Sequence, residues 1–162
     1  MKLKLLLTFI LLNTTSLLYA NSLTLEEKRN IAKIEKSTIT DFQEKLNKMI
    51  DTQLELSIDW ESISDVKKIK LLDKGIQQVY IKPLLSTFKN LSSDALGKEA
   101  LKELIRLERV KKIVFSNKIK TTNKKGISLK NGVLTIDQRA YTNWSTKDVE
   151  TRAKVIYNVL GL

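Results

Sequence analysis

Asp59 and Glu61 bracket Trp60 in the segment LELSIDWES, and this is the only constellation in the chain with an enzymatic flavour. On a strand, side chains two apart share a face at about 6.5 Å. That lies within the span of about 5 to 9.5 Å at which carboxylate pairs cleave glycosidic bonds. Acids at a strand end leading into a helix more commonly face water or complement the helix dipole. Trp60, pointing the other way, reads as a lid on the core rather than a sugar platform. A carboxylate-dependent hydrolase acting on an envelope polymer through Asp59 and Glu61 is therefore the alternative reading, not the leading one.

Other catalytic chemistries lack their material. The 162 residues include no His and no Cys, which removes His-dependent triads, thiol chemistry and the commonest transition-metal ligands. Five Gly in the whole chain leave little for phosphate-cradling loops, and no nucleophile elbow or calcium loop is present. We expect no cofactor, no metal and no enzymatic activity.

Charge is the stronger signal. From Arg109 to Ile136, 28 residues hold eight basic side chains and no Asp or Glu. Without Lys2 and Lys4, the 29 Lys and Arg become 27 against 18 acids, a net charge of +9, and this window supplies eight of those nine. A localised excess fits an anionic partner better than a uniformly basic chain would. Lysines on exposed strands also guard sheet edges against pairing, and that reading stands beside the first. Seven of the eight are Lys, and Phe115 is the only aromatic among them. Single-stranded nucleic acid is thereby disfavoured, because its readers interleave aromatics with charge. The expected anionic face consists of Lys112, Lys118, Lys124, Lys125 and Lys130, with anionic lipid, lipopolysaccharide or an acidic protein as partner. In AYTNWST, Tyr141 and Trp144 could flank a ligand, but Trp144 precedes the cap Ser145 and so sits where a hydrophobic staple belongs.

Elements must carry these residues. Ile31, Ile34, Ile39, Phe42, Leu46, Met49 and Ile50 make one face of a long amphipathic helix, in steps of three and four with a single five. Thr24 and Glu27 form a capping box at its start. Leu54 to Trp60 alternates as a strand. Ser62 and Asp65 begin a short helix that Gly75 should end, and Pro83 should kink or break the apolar run after it. Ser93 and Asp94 open a further helix with the stripe Leu96, Ala100, Leu101, Leu104 and Ile105.

Beyond Val110 the period becomes two. Asn131-Gly132 is the preferred pair for a type I′ turn. That turn sets Lys130 against Val133, Leu129 against Leu134 and Ile127 against Ile136, with Ile113 and Phe115 also pointing inward. Lys112, Ser116 and Lys118 then join an outer face with Ser128, Lys130, Val133 and Thr135. Ser145 and Asp148 cap a closing helix with Val149, Ala153, Ile156 and Leu160 along one side. The expected class is α+β: a long N-terminal amphipathic helix and further helices packed on a small antiparallel C-terminal meander, with a closing C-terminal helix.

The first twenty residues, MKLKLLLTFILLNTTSLLYA, have the layout of a secretory signal peptide: Lys2 and Lys4, an apolar run to Leu12, and a small residue at Ala20. Cleavage after Ala20 would leave residues 21–162 as a single domain in the periplasm or outside the cell, with no membrane span. An uncleaved anchor is the rival, weakened by the polar run Asn13 to Ser16. The leading expectation is a small exported protein that binds rather than catalyses. Its oligomeric state is left open.

Overall fold

The computed structural model describes residues 23–51, 53–107, 109–122 and 126–161. Helices α1 (Leu25–Ile34) and α2 (Thr40–Ile50) are one continuous rod joined by a π turn, Glu35–Ile39. The π turn falls at the single five-residue step of the apolar stripe. One extra residue per turn lets Ile34 and Ile39 face the same way, and both are buried. The capping box forms as expected: Glu27 accepts from the Thr24 N–H at 2.9 Å and the Thr24 hydroxyl at 2.8 Å. Its other oxygen accepts from Ser64 Oγ at 2.6 Å, which latches the start of the rod to a distant loop.

The strand expected over 54–60 is shorter, β1 (Glu55–Ile58). Asp59 instead caps a four-residue helix, α3 (Trp60–Ile63). A 3₁₀ helix, Val66–Leu71, follows, capped by Asp65. Gly75 does not end the next helix. Helix α4 (Leu72–Gly75), a second π turn (Ile76–Ile81) and α5 (Lys82–Leu91) run on without interruption. Gly75 is needed for contact: a Cβ there would lie 2.5 Å from the carbonyl oxygen of Ala140. Pro83 does not break the run. It stands in the first turn of α5, just after the wide turn in which the Lys82 N–H reaches back to Gln77 O, where its missing donor costs little. Helix α6 (Ala95–Arg106) buries Leu101 and Leu104, but Leu96, expected in its stripe, is 86% exposed.

The class is α+β, with helices packed on a sheet and a closing helix, α7 (Thr146–Leu160). Strands β2 (Lys112–Ser116), β3 (Ile127–Lys130) and β4 (Val133–Asp137) form where the pattern put them. The β3–β4 hairpin has the expected register, with Asn131 and Gly132 at φ 52° and 76°. The antiparallel meander is corrected: the sheet is mixed and four-stranded, ordered β1-β2-β4-β3, with β1, β2 and β4 all parallel. Burial explains the insertion of β4 between β2 and β3. Leu134 and Ile136 of β4 are fully buried, which suits an interior strand, whereas β3 carries exposed Lys130, suited to an edge. The long connection 117–126 permits the jump.

Helices cover the sheet face bearing Ile113, Phe115, Leu134 and Ile136, all at 0% exposure. The opposite face, with Ser57, Val114, Thr135 and Ser128, is half-buried. Ser116, expected on that outer face, is itself buried. One apolar cluster runs from Ile31 to Leu160.

Gly75→Ala separates helix propensity from packing. Propensity alone would stabilise by up to about 1 kcal/mol; the backbone clash should instead destabilise by about 1–3 kcal/mol, read by urea unfolding. For Glu27, burial pushes the carboxyl up, but bonds from Ser64 and Thr24 outweigh it and hold the pKa below 4.5. A depressed carboxylate contributes stability that is present above the unfolded value and lost as pH falls through the folded one. Stability should therefore decline below about pH 4.5, with a shallower acid limb in Glu27→Gln. Glu27→Ala should cost about 1–3 kcal/mol at neutral pH by losing both cap and latch.

Candidate anion-binding site

Three parallel strands end on the same side of the sheet, and their carboxyl ends open on a groove of about 700 Å³. Open sheets with parallel strands commonly place ligands there. Lys68 enters from the 3₁₀ helix, Lys118 and Lys120 from the chain after β2, and Arg139 from the chain after β4. The lining holds two carboxylates, Glu61 and Asp65, against these four cations. Asp65 is committed locally, accepting from the Lys67 N–H at 3.0 Å and standing 3.7 Å from Lys68 Nζ.

One carboxylate and two backbone carbonyls shape the cationic loop. Asp137 Oδ1 accepts from the Ile119 N–H at 3.1 Å, the Arg139 N–H reaches Thr121 O at 2.8 Å, and Arg139 Nε donates to Lys120 O. Lys120 takes a left-handed φ of 49°, which turns the chain between these anchors. The Asn117 N–H donates to Ser62 Oγ at 3.0 Å, tying this loop to α3. Asn117 Oδ1 is buried with no hydrogen-bond partner among the described residues.

Asp59 and Glu61 are not carried on one strand, since β1 ends at Ile58 and both acids belong to the start of α3. Asp59 Oδ1 accepts from the Ser62 N–H at 3.0 Å and Oδ2 pairs with Lys118 Nζ at 3.0 Å. Both oxygens of Asp59 are thus engaged, while Glu61 is exposed in the first turn of α3 and lines the groove. The Trp60 indole donates to Glu35 Oε1 at 2.8 Å in the first π turn. Among the described residues no group of three potential ligands could hold a metal ion.

The lysines of the acid-free window divide between the two ends of the sheet. Lys112 and Lys130 both stand opposite Val133, in one row at the amino end of β2 and β4. Lys112 there pairs with Glu55 at 2.5 Å. Lys118 lies beyond the opposite end of β2, six residues or about 20 Å along the strand direction. Lys124 and Lys125 fall outside the described residues. Sequence reasoning missed Lys68, Lys120 and Arg139. A signal existed in the lysine–aliphatic alternation of VKKIKL and KIK, but only strand order puts those segments together.

The aromatic pair also splits. Trp144, just before the cap Ser145, packs on the core, donates to Ala140 O at 2.8 Å and lies 4.9 Å beneath Lys74 Nζ. Tyr141 lines the groove, with Lys68 Nζ 5.6 Å from its ring centre. Its hydroxyl oxygen accepts from the Asp65 N–H at 3.1 Å. Burial pushes this phenol up to about 12, against the lowering effect of that bond. Because the unfolded phenol ionises first, near 10, the stability from neutral Tyr141 is fully present below about pH 10 and lost as pH rises towards about 12. A phenolate absorbance titration should show a step near pH 12 that Tyr141→Phe removes.

Comparison with protein families, curated proteins and solved structures finds no match.

Proposed function

We propose that this chain is a small exported protein of the cell envelope that binds an anionic component non-catalytically, in the groove at the carboxyl ends of β1, β2 and β4. The observation that carries this reading is the convergence of Lys68, Lys118, Lys120 and Arg139, from three separate segments, on one concavity. Four cations against two carboxylates leave a net positive groove, and a concave wall concentrates that field. The signal-peptide pattern of residues 1–20 supports export, and among the described residues no helix is long and apolar enough to cross a membrane. Engagement of both Asp59 oxygens by Ser62 and Lys118 favours a positioning role for that carboxylate over a catalytic one.

Calorimetric titration with tripolyphosphate tests the reading. The mature protein should bind in a salt-sensitive manner, and Lys118→Glu with Lys120→Glu should weaken binding at least about tenfold, since two attractive charges become repulsive. Asp59→Asn keeps an acceptor for the Ser62 N–H while removing a competing charge, so affinity should rise several-fold. A loss of affinity in Asp59→Asn, or equal binding by the charge-reversed protein, would count against the groove.

A further inference from the structure

We infer that the groove belongs to a membrane-surface dock. The protein seats on an anionic bilayer with Lys68, Lys118 and Lys120 on lipid phosphates and Val66, Leu71 and Ile119 in the interface. This rests on the anion-binding reading above and adds the kind of surface that carries the anion.

Large apolar side chains are exposed in the segments that carry the groove lysines. Val66 is 46%, Leu71 43% and Ile119 55% exposed, and all three lie in the two short segments that supply groove lysines. Ile119 stands between Lys118 and Lys120, both in the groove wall. Leu71 follows Lys68 by three residues in a 3₁₀ helix, where positions i and i+3 eclipse, so the two project on the same side. Val66, directly after the groove residue Asp65, begins the row of the buried Ile69 rather than that of Lys68, yet remains 46% exposed. Within Val66–Leu71 only Ile69 is buried, so this helix contributes one side chain to the core and five to the surface.

Alternation of aliphatic and lysine is the composition of an interfacial anchor. The apolar tips enter the acyl boundary while lysine stems lie along it and their ammonium groups reach the phosphates. A protein partner is less well matched. Protein interfaces are enriched in aromatic residues, Met and Arg and depleted in Lys, whereas these two segments hold five Lys and no aromatic residue or Arg. The bilayer's negative surface supplies the complementary charge.

The absence of Cys from the chain allows a site-specific probe. The mature protein with Ile119→Cys would carry a polarity-sensitive dye. Leu96→Cys would be the control, because Leu96 is 86% exposed but lies on α6 and does not line the groove. With phosphatidylglycerol-containing vesicles the dye at 119 should shift to the blue and the dye at 96 should not. Neither should respond to pure phosphatidylcholine, and about 0.5 M salt should reverse the shift. In co-sedimentation, Val66→Ser, Leu71→Ser and Ile119→Ser combined should lower vesicle partitioning at least about tenfold while leaving tripolyphosphate binding intact. Wild-type partitioning by this triple variant, or a dye at 119 that stays in water, would overturn docking. Retained tripolyphosphate binding without vesicle binding would also overturn docking, keep the groove, and direct it to an acidic protein. Loss of tripolyphosphate binding by the unaltered protein would overturn both.

Discussion

The parallel pairing of β2 with β4 is the contact on which the rest of the molecule depends. It brings Ile113, Phe115, Leu134 and Ile136 together at zero exposure, and Phe115 meets the rings of Tyr80 at 5.0 Å and Phe42 at 5.9 Å. Tyr80 closes the carboxyl end of the same pair: its hydroxyl lies 2.9 Å from Ser116 O and 2.6 Å from Gln138 O. Burial, followed by the charge of Asp137, holds that phenol well above its ordinary pKa, so it stays a neutral donor shared between two carbonyls. Because β1 joins β2 in the same direction, the segments after all three strands emerge together. Lys118 and Arg139 share a groove for that reason and no other.

The helical layer reaches this sheet through local departures from the α-helix. The two π turns serve different parts of the apolar pattern. Glu35–Ile39 takes up a five-residue step, and Ile76–Ile81 delivers Ile76, Val79, Tyr80 and Ile81 to the core ahead of Pro83. Polar side chains tie the two turns together, since Asp73 accepts from Thr38 Oγ1 at 2.6 Å and from Gln77 Nε2 at 2.9 Å. Gly75 then lets the second rod approach the backbone at Ala140. That segment leads directly to Tyr141 at the groove and Trp144 at the entry to α7.

Charge is handled differently inside and at the rim. Arg152 on α7 is buried and meets neutral oxygens, Asn143 O at 2.8 Å and Gln138 Oε1 at 3.4 Å, and burial lowers its pKa. It stiffens the chain after β4 rather than offering a charge to solvent. Lys118, with a side chain 70% exposed, contacts Asp59, whose side chain is 20% exposed. The Lys118 end of the pair is open to solvent and to a ligand phosphate, while the Asp59 end is half-buried. Asp59 then serves as the cap of α3 that keeps Ser62 bonded to the Asn117 backbone.

What could be known before folding was whatever depends on near neighbours. The capping boxes at Thr24–Glu27 and Ser145–Asp148, the Asn131-Gly132 hairpin with its register, and the apolar stripes of α1, α2 and α7 are all set by contacts within a few residues, and each formed as expected save that Val149, at the start of the α7 stripe, is only half-buried. Strand order was not legible in this way. Alternation in β2, β3 and β4 states which side chains face inward, but it is the same for a meander and for a sheet in which β4 is inserted. Only competition for the most buried position, which Leu134 and Ile136 win, separates the two. The acid-free window was therefore visible as composition while its geometry was not. Lys112 and Lys118 are close in sequence but stand at opposite ends of one strand, whereas Lys68 joins Lys118 only because β1 and β2 run parallel with a helical crossover between them. The sequence determined the charge, and tertiary packing decided which charges meet, because a strand separates its neighbours by about 3.3 Å per residue while a parallel sheet gathers the ends of distant strands.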